Sequence, residues 1–209
     1  MVITHYGGEF FKVTFGDTTL AFNPPSKDSK LKGAKFGADI AFVSANHPDF
    51  NGIDQVSHGE KKPFVISGPG EYEIREIFIK GFPLKTEYGG REMINTIYYV
   101  TLEGMTLLFL GALNQKELSH DAKAGIEEVN ILFVPVGGDG VLDPEDAHEL
   151  SVSLESNIVI PMHADDIGEK GSLENFLKEE GGKVSPVEKL TLKKKDLEGK
   201  MGEVVVLKS

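Results

Sequence analysis

Two histidines and one aspartate carry the side chains best suited to metal chemistry in this chain of 209 residues. His47 and Asp49 lie close together in the segment Asn46-His47-Pro48-Asp49-Phe50, whereas His163 follows a strand-like run much later in the sequence. Imidazole nitrogens and carboxylate oxygens are common Zn²⁺ ligands, and three of them plus a water molecule form a mononuclear catalytic site. The chain has no cysteine, so thiolate ligands, thiolate nucleophiles and disulfides are excluded.

The predicted metal ligands are therefore His47, Asp49 and His163, with Asp49 as the candidate catalytic residue. Polar residues of neighbouring loops could join them, and these accessory candidates are Asp139, Asn46, Glu71 and Asp165. The cofactor expected for such a site is one weakly bound divalent metal, zinc or manganese, or none. A purely structural role is the alternative, in which Asp49 accepts hydrogen bonds from loop amides and the histidines are hydrogen-bonded loop residues.

These candidates follow apolar runs that have the composition of buried β-strands. A Gly16-Asp17 turn signal between two such runs predicts a hairpin near the start of the chain. In open α/β sheets, ligands gather beyond the carboxyl ends of the strands, so the loops after these runs should form the site. The predicted strands are 10–15, 18–22, 40–43, 64–66, 74–79, 96–102, 105–110, 131–135, 158–160, 189–192 and 203–207.

Helices are predicted mostly in the second half of the chain. The segment Asp143-Pro144-Glu145-Asp146 combines an N-cap residue, a proline at the first helical position and nearby acids, which predicts a helix from Pro144 to about Leu154. A second helix is expected from an N-cap at Ser172 to Glu180, and a weaker one spans 119–128. This mixture of strands and helices indicates an α/β protein with helices covering sheets.

Composition and net charge indicate the kind of domain and argue against some classes of partner. The chain has 40% hydrophobic and 26% charged residues, which is typical of one globular domain, here residues 1–209. The formal net charge of −11 argues against nucleic acid as the main partner, because phosphate binding needs clustered cations. The sequence contains no apolar stretch of bilayer-spanning length and no signal-peptide pattern, so a cytoplasmic location without membrane association is expected.

Five motifs in order along most of the chain resemble the metallo-β-lactamase superfamily. The similarity is greatest to its small bacterial Zn-dependent hydrolase-like proteins, in the branch that includes the ascorbate-phosphate lactonase. It implies a four-layer αββα sandwich with two metal ions held by loops at one edge. The motifs are Ser44-Ala45-Asn46-His47-Pro48-Asp49-Phe50, Gly68-Pro69-Gly70-Glu71-Tyr72, Gly111-Ala112, Pro135-Val136-Gly137-Gly138 and Ile160-Pro161-Met162-His163.

The metal motif implied by this resemblance is degenerate. The pattern His-x-His-x-Asp-His places its first histidine on Ala45 and its last on Phe50. A further histidine, expected after the strand that follows the Gly68-Pro69-Gly70 segment, has Lys85 and Thr86 as its nearest equivalents. The bridging aspartate falls on Ala112. Only His47, Asp49 and His163 remain, and in the family pattern they are divided between the two metal positions.

Two other departures from the resemblance point in the same direction. The Gly-His-Ser pattern of relatives is Gly7-Gly8-Glu9 here, and their Asp-Pro pair is Asn23-Pro24. We interpret both as a loss of charge and imidazole around the metal position. The favoured hypothesis is a non-catalytic descendant that binds a small molecule, a partner protein or another copy of itself. The alternative is a metal-dependent hydrolase of phosphoesters or lactones with a reduced, mononuclear site.

Overall fold

Short apolar strands near both ends of the chain form the first β-sheet. The computed structural model describes residues 1–209. The sheet has the strand order β12-β1-β2-β3-β4-β5, with β3, β4 and β5 parallel and the remaining pairs antiparallel. Its strands are β1 (Val2–His5), β2 (Phe11–Phe15), β3 (Thr18–Phe22), β4 (Ile40–Phe42), β5 (Phe64–Ile66) and β12 (Leu190–Thr191).

The second sheet is built from the middle and the C-terminal part of the chain. Its order is β13-β11-β10-β9-β8-β7-β6, antiparallel from β6 to β9 and parallel from β9 to β13. The strands β10 and β11 are buried along their whole length, as continuous apolar runs in parallel sheets should be. The strands are β6 (Gly70–Ile74), β7 (Ile77–Tyr88), β8 (Arg91–Leu102), β9 (Met105–Phe109), β10 (Ile131–Pro135), β11 (Ile158–Met162) and β13 (Glu203–Val204).

The chain forms three α-helices, α1 (His120–Gly125), α2 (Pro144–Ser153) and α3 (Ser172–Glu179). The predicted N-cap of α2 is confirmed, because Asp143 accepts a hydrogen bond from the amide of residue 146. The helix predicted over 119–128 is shorter than expected, and Ser119 caps it by accepting from the amide of residue 122. Two 3₁₀ turns cover 53–56 and 194–197. None of the helices is long and apolar enough to cross a membrane.

The N-cap predicted for α3 is wrong. Gly171 takes that position in a left-handed conformation, and the helix begins at Ser172. The carboxylate of Asp165 accepts hydrogen bonds from the amides of Gly171 and Leu173 and from the Ser172 hydroxyl. A side chain from the preceding loop therefore satisfies the free amides at the start of the helix.

Aromatic packing joins the inner faces of the two sheets. Phe22 stacks on Phe42 within the first sheet at a ring-centroid distance of 4.4 Å and meets Phe109 of the second sheet at 4.9 Å. The outer face of the second sheet buries Ala147 and Leu150 of α2 and Phe176 of α3. The result is the predicted α/β architecture, the αββα sandwich of metallo-β-lactamases.

The long β7–β8 hairpin differs from its prediction. The predicted strand 74–79 is interrupted by a turn, because Arg75 and Glu76 both have positive φ and separate β6 from β7. The strand predicted from residue 96 begins five residues earlier, at Arg91. Both hairpin strands have 12 residues, and they carry Tyr88 to the edge of the sandwich where the predicted site lies.

Replacement of Phe133 by alanine tests the contribution of the core between the sheets. Its ring is completely buried and packs edge-on against Phe11 at 4.9 Å. We expect Phe133→Ala to lower the free energy of unfolding by about 3–5 kcal/mol, measured by denaturant titration. The matched control is Phe78→Ala, because Phe78 is 53% exposed and its loss should cost less than about 1 kcal/mol. Equal effects of the two variants would contradict this assignment of the core.

Asp39 should give the fold a measurable dependence on acid. Burial acts to raise the pKa of its carboxyl, but hydrogen bonds from Thr19 and Lys61 and the positive charges of Lys61 and Arg75 outweigh burial, so the pKa lies below its usual value of 3.8. The ionised carboxylate therefore stabilises the fold above pH 3.8, and this stabilisation is lost as the pH falls through the lowered pKa. Thermal melts should show Asp39→Asn less stable than the native chain at pH 6, with the difference shrinking towards pH 2. A difference that stays constant across this range would refute the linkage.

Candidate metal centre and adjoining cleft

The predicted site is assembled where the loops after β3, β4, β9, β10 and β11 meet. Ser44, two residues after the end of β4, shares a buried hydrogen-bond network with Asn23, directly after β3. The loops after β10 and β11 approach so closely that a Cβ on Gly137 would lie 2.1 Å from the backbone oxygen of His163. Glycine is therefore required at position 137, and the strand ends are held at one edge of the sandwich as predicted.

A buried carboxylate lies beneath this edge. Glu9 has no solvent exposure, and its two oxygens accept hydrogen bonds from Asn23 Nδ2 at 2.6 Å and His163 Nδ1 at 2.7 Å. The interpretation of Glu9 and Asn23 as a loss of supporting charge is therefore wrong. Asn23 has an amide in place of the carboxylate of the Asp-Pro pair. Glu9, in the loop before β2, supplies a carboxylate within hydrogen-bond distance of this amide.

His163 has the orientation of a metal-binding histidine without the partner that this role requires. In the contact with the Glu9 carboxylate oxygen, Nδ1 is the donor. The opposite ring nitrogen, Nε2, is buried and has no hydrogen-bond partner. A metal-ligating histidine typically donates one nitrogen to a carboxylate and presents the other to the metal. The carboxylate–histidine half of such an arrangement is present.

Apolar side chains pack where the resemblance places the lost ligands. A cluster of buried residues contains Ala45, Phe50 and Ala112 together with Tyr88 and Val141. The Phe50 and Tyr88 rings lie 5.0 Å apart, and the Tyr88 ring meets the His163 ring edge-on at 5.4 Å. We call these five residues the apolar plug. Aromatic surface of the plug therefore packs against the His163 ring.

Thr86, near which the resemblance places a histidine ligand, also has a structural contact. The Thr86 hydroxyl, buried next to the plug, donates to the backbone oxygen of Ala112 at 2.7 Å. Asn95 accepts from the Ala112 amide and donates to the Leu110 oxygen. The backbone groups around Ala112 are therefore satisfied by protein partners, as buried polar groups must be.

Asp49 is held by protein groups on three sides. Tyr88 Oη donates to Asp49 Oδ2 at 2.9 Å, Ser29 Oγ donates to Oδ1, and His47 Nδ1 lies 3.3 Å from Oδ2. Burial and the negative charges of Asp49 and Glu9 raise the pKa of the Tyr88 hydroxyl, so this hydroxyl keeps its proton and remains a donor. The structural role considered for Asp49 named loop amides as donors, but the donors to its carboxylate are the hydroxyls of Ser29 and Tyr88.

The donor set does not fit the dinuclear centre of the resemblance. The structure contains no group of three or more His, Asp or Glu side chains placed to hold one metal ion. The Tyr88 ring contacts both predicted histidine ligands, edge-on to His47 at 4.8 Å and to His163 at 5.4 Å. His47 Nδ1 and Asp49 Oδ2 lie 3.3 Å apart, but His163 does not complete a group of three ligands with them.

An open cleft of about 660 Å³ adjoins the plug. His47 and Asp49 line it with one accessory candidate, Asp139, and a second hollow of about 570 Å³ shares His47, Asp49 and Tyr88. A cleft of this size is typical of small-molecule sites. The remaining residues that line the larger cleft are Glu87, Tyr88, Gly89, Gly90, Asn114, Gly140 and Ile167.

The other accessory candidates lie outside this cleft. Asn46 is exposed and accepts a hydrogen bond from Asn51 at 2.9 Å. Glu71 is exposed on β6, the edge strand of the second sheet, in register with Lys80. Asp165 caps α3. Their contacts are those of surface and capping residues.

Glu9, Tyr88 and Ser29 have central positions in the site that the sequence did not predict. Glu9 is 154 positions away from His163, and no local pattern connects them. Tyr88 could have been found from the alternating pattern of β7, which continues to the Gly89-Gly90 turn. Ser29 belongs to a polar loop whose sequence gives no signal of its contact with Asp49.

The family follows from comparison with known sequences. Residues 2–163 match the family model described as the beta-lactamase superfamily domain. The matched segment covers more than half of the chain and ends at His163. The chain belongs to this family. No curated protein matches the sequence at a significant level.

Solved structures agree with this assignment. A protein from Thermotoga maritima, described as a Zn-dependent hydrolase of the metallo-β-lactamase superfamily, is 26% identical, with a TM-score of 0.75 over 99% of this chain and 97% of its own. Igni18, a metallo hydrolase from Ignicoccus hospitalis, has a TM-score of 0.62 at 17% identity, covering 92% of this chain and 99% of its own. YhfI from Bacillus subtilis, a metallo-β-lactamase fold protein, has a TM-score of 0.61 at 12% identity over 100% and 97% of the two chains.

The buried Glu9 can be tested by substitution. Glu9→Ala leaves Asn23 and His163 without their acceptor in a site closed to water, so we expect a loss of about 3–5 kcal/mol in the free energy of unfolding. Glu9→Gln should cost less, because its amide oxygen still accepts from one of the two donors. Glu71→Ala serves as the exposed control, with a change within about 0.5 kcal/mol. If Glu9→Ala melted like the Glu71 control, Glu9 would not support this edge.

Proposed function

We propose that this protein is a non-catalytic member of its family that binds a small ligand or a partner at the edge where its relatives place their metal ions. The observation that carries the proposal is the apolar plug, in which Ala45, Phe50 and Ala112 occupy the implied ligand positions and pack against Tyr88. Nucleic acid is not among the proposed partners, because the formal net charge is −11.

Energetics support the loss of the metal centre. A divalent cation next to Phe50 and Ala112 would lose its hydration without gaining ligands, which is strongly unfavourable. Burial of the Phe50 side chain instead stabilises the fold by about 1.5–3 kcal/mol. Packing of the plug therefore holds these loops together, as metal coordination would in a dinuclear site.

The cleft beside the plug is the proposed place for a ligand. The carboxylates of Asp49, Glu87 and Asp139 and the amide of Asn114 line it, so acceptor oxygens outnumber donors. A small polar molecule with several N–H or O–H groups would complement this lining. Such binding needs no bound metal and no nucleophile.

The alternative is a metal-dependent hydrolase of phosphoesters or lactones with a single zinc or manganese ion. One observation favours it, namely the Glu9–His163 pair with its unpartnered Nε2. This alternative requires a rearrangement of the site, because no three His, Asp or Glu side chains are placed to hold one metal ion. The proposed function requires no such rearrangement.

Restoring the implied ligands tests the proposal directly. We expect the native chain, purified without chelator and dialysed against zinc or manganese, to hold no stoichiometric metal by elemental analysis. The triple variant Ala45→His, Phe50→His, Ala112→Asp should gain stoichiometric zinc, because it adds three ligands beside His47, Asp49 and His163. Phe50→Leu in the native background keeps the plug apolar and serves as the control that should stay metal-free.

Stoichiometric metal in the native chain, lost on His163→Ala, would overturn the proposal in favour of the hydrolase. Turnover of phosphoester or lactone substrates by the native chain that a chelator abolishes would do the same. Metal-free protein without turnover supports the proposal. The triple variant also shows whether the scaffold itself still accepts a metal centre.

A further inference from the structure

A second groove lies in the helical layer, between the ends of α1 and α2. Its volume is about 540 Å³, and it has no residue in common with the cleft described above. Its floor is apolar, because Leu118, Val129 and Leu150 are buried and Ile126 and Leu154 are half-buried around it. An apolar floor within an open groove of this size is typical of sites for small organic molecules.

The charges at the rim of this groove are unbalanced. Its two lysines are already paired within the protein, since Lys116 contacts Asp146 at 2.9 Å and Lys123 contacts Glu117 at 2.8 Å. Glu127 and Glu155 also line the rim, are exposed, and make no salt bridge. The groove therefore presents carboxylates that no cation of the protein neutralises.

The end of α2 adds to this negative charge. The helix ends at Ser153 and has no basic residue in its last turn, so nothing offsets the partial negative charge of its C-terminus. Glu155 follows two residues later with φ of +48°, in the left-handed conformation that glycine or asparagine usually takes after a helix. A carboxylate at this position is unfavourable both for the helix dipole and for the backbone.

We propose that the groove between α1 and α2 binds a small amphipathic organic cation. The apolar body of the ligand contacts the floor formed by Leu118, Ile126, Leu150 and Leu154. Its ammonium group lies at the rim, near the carboxylates of Glu127 and Glu155 and the C-terminal carbonyls of α2. Charge complementarity selects the cation, and the apolar floor selects the hydrocarbon.

Titration with octylammonium chloride, followed by ¹H–¹⁵N NMR of the full chain, tests this assignment. We expect saturable shifts of the amides of 126–129 and 153–155. Sodium octanoate has the same hydrocarbon with the opposite charge and should leave these amides unshifted at the same concentrations. A synthetic amphipathic Leu/Lys peptide tests the competing class of occupant.

Substitution of Glu155 separates binding from stability. Glu155→Asn removes the carboxylate and suits the left-handed backbone, so the melting temperature should rise while octylammonium binds about fivefold more weakly. Glu103→Asn is the matched control, because Glu103 is an exposed glutamate with φ of +51° that does not line the groove. It should also raise the melting temperature but leave the affinity unchanged.

Three results would overturn the proposal. The first is the absence of saturable shifts with octylammonium, and the second is equal binding of octanoate. The third is binding of the basic peptide at these amides without binding of octylammonium, which would make the groove a protein-docking surface. Loss of affinity in Glu155→Asn with retention in Glu103→Asn supports it.

Discussion

The edge of the sandwich depends on a carboxylate that has no contact with water. Glu9 is completely buried, so its hydrogen-bond donors must come from the protein. They are Asn23, which follows a strand of the first sheet, and His163, which follows a strand of the second. Asn23 also donates to Ser44, which brings the loop after β4 into the same network. One buried charge thus ties together both sheets and the loops that a ligand would meet.

The apolar plug and this polar network both hold together the loops at the ends of the strands. Loops that lie side by side at the ends of strands need cross-links, which metal coordination supplies in a dinuclear site. Here packing of Phe50 against Tyr88 and the hydrogen bond from Tyr88 to Asp49 provide them. The residues at the implied ligand positions, Ala45, Phe50 and Ala112, belong to one buried cluster, so the departures from the metal motif at these positions are consistent with one another.

The sequence predicted the parts of this arrangement that depend on local patterns. The apolar runs of β10 and β11, the helix start at Asp143 and the spacing of His47 and Asp49 each lie within a few residues. The turn at Arg75 and Glu76 escaped prediction because neither residue type favours a positive φ. Glu9 escaped it because its partner His163 is 154 positions away, and only the packing of the two sheets brings them together.

Retention of His163 in a site without a fitting ligand set has a structural explanation. Its Nε2 is buried without a partner, which costs about 1–3 kcal/mol in the folded state. Its Nδ1 nevertheless serves the Glu9 carboxylate, and removing the histidine would leave that buried charge with one donor fewer. Loss of a partner from a buried charge costs more than an unpartnered ring nitrogen. The histidine therefore persists because Glu9 needs it, whether or not anything binds to its other nitrogen.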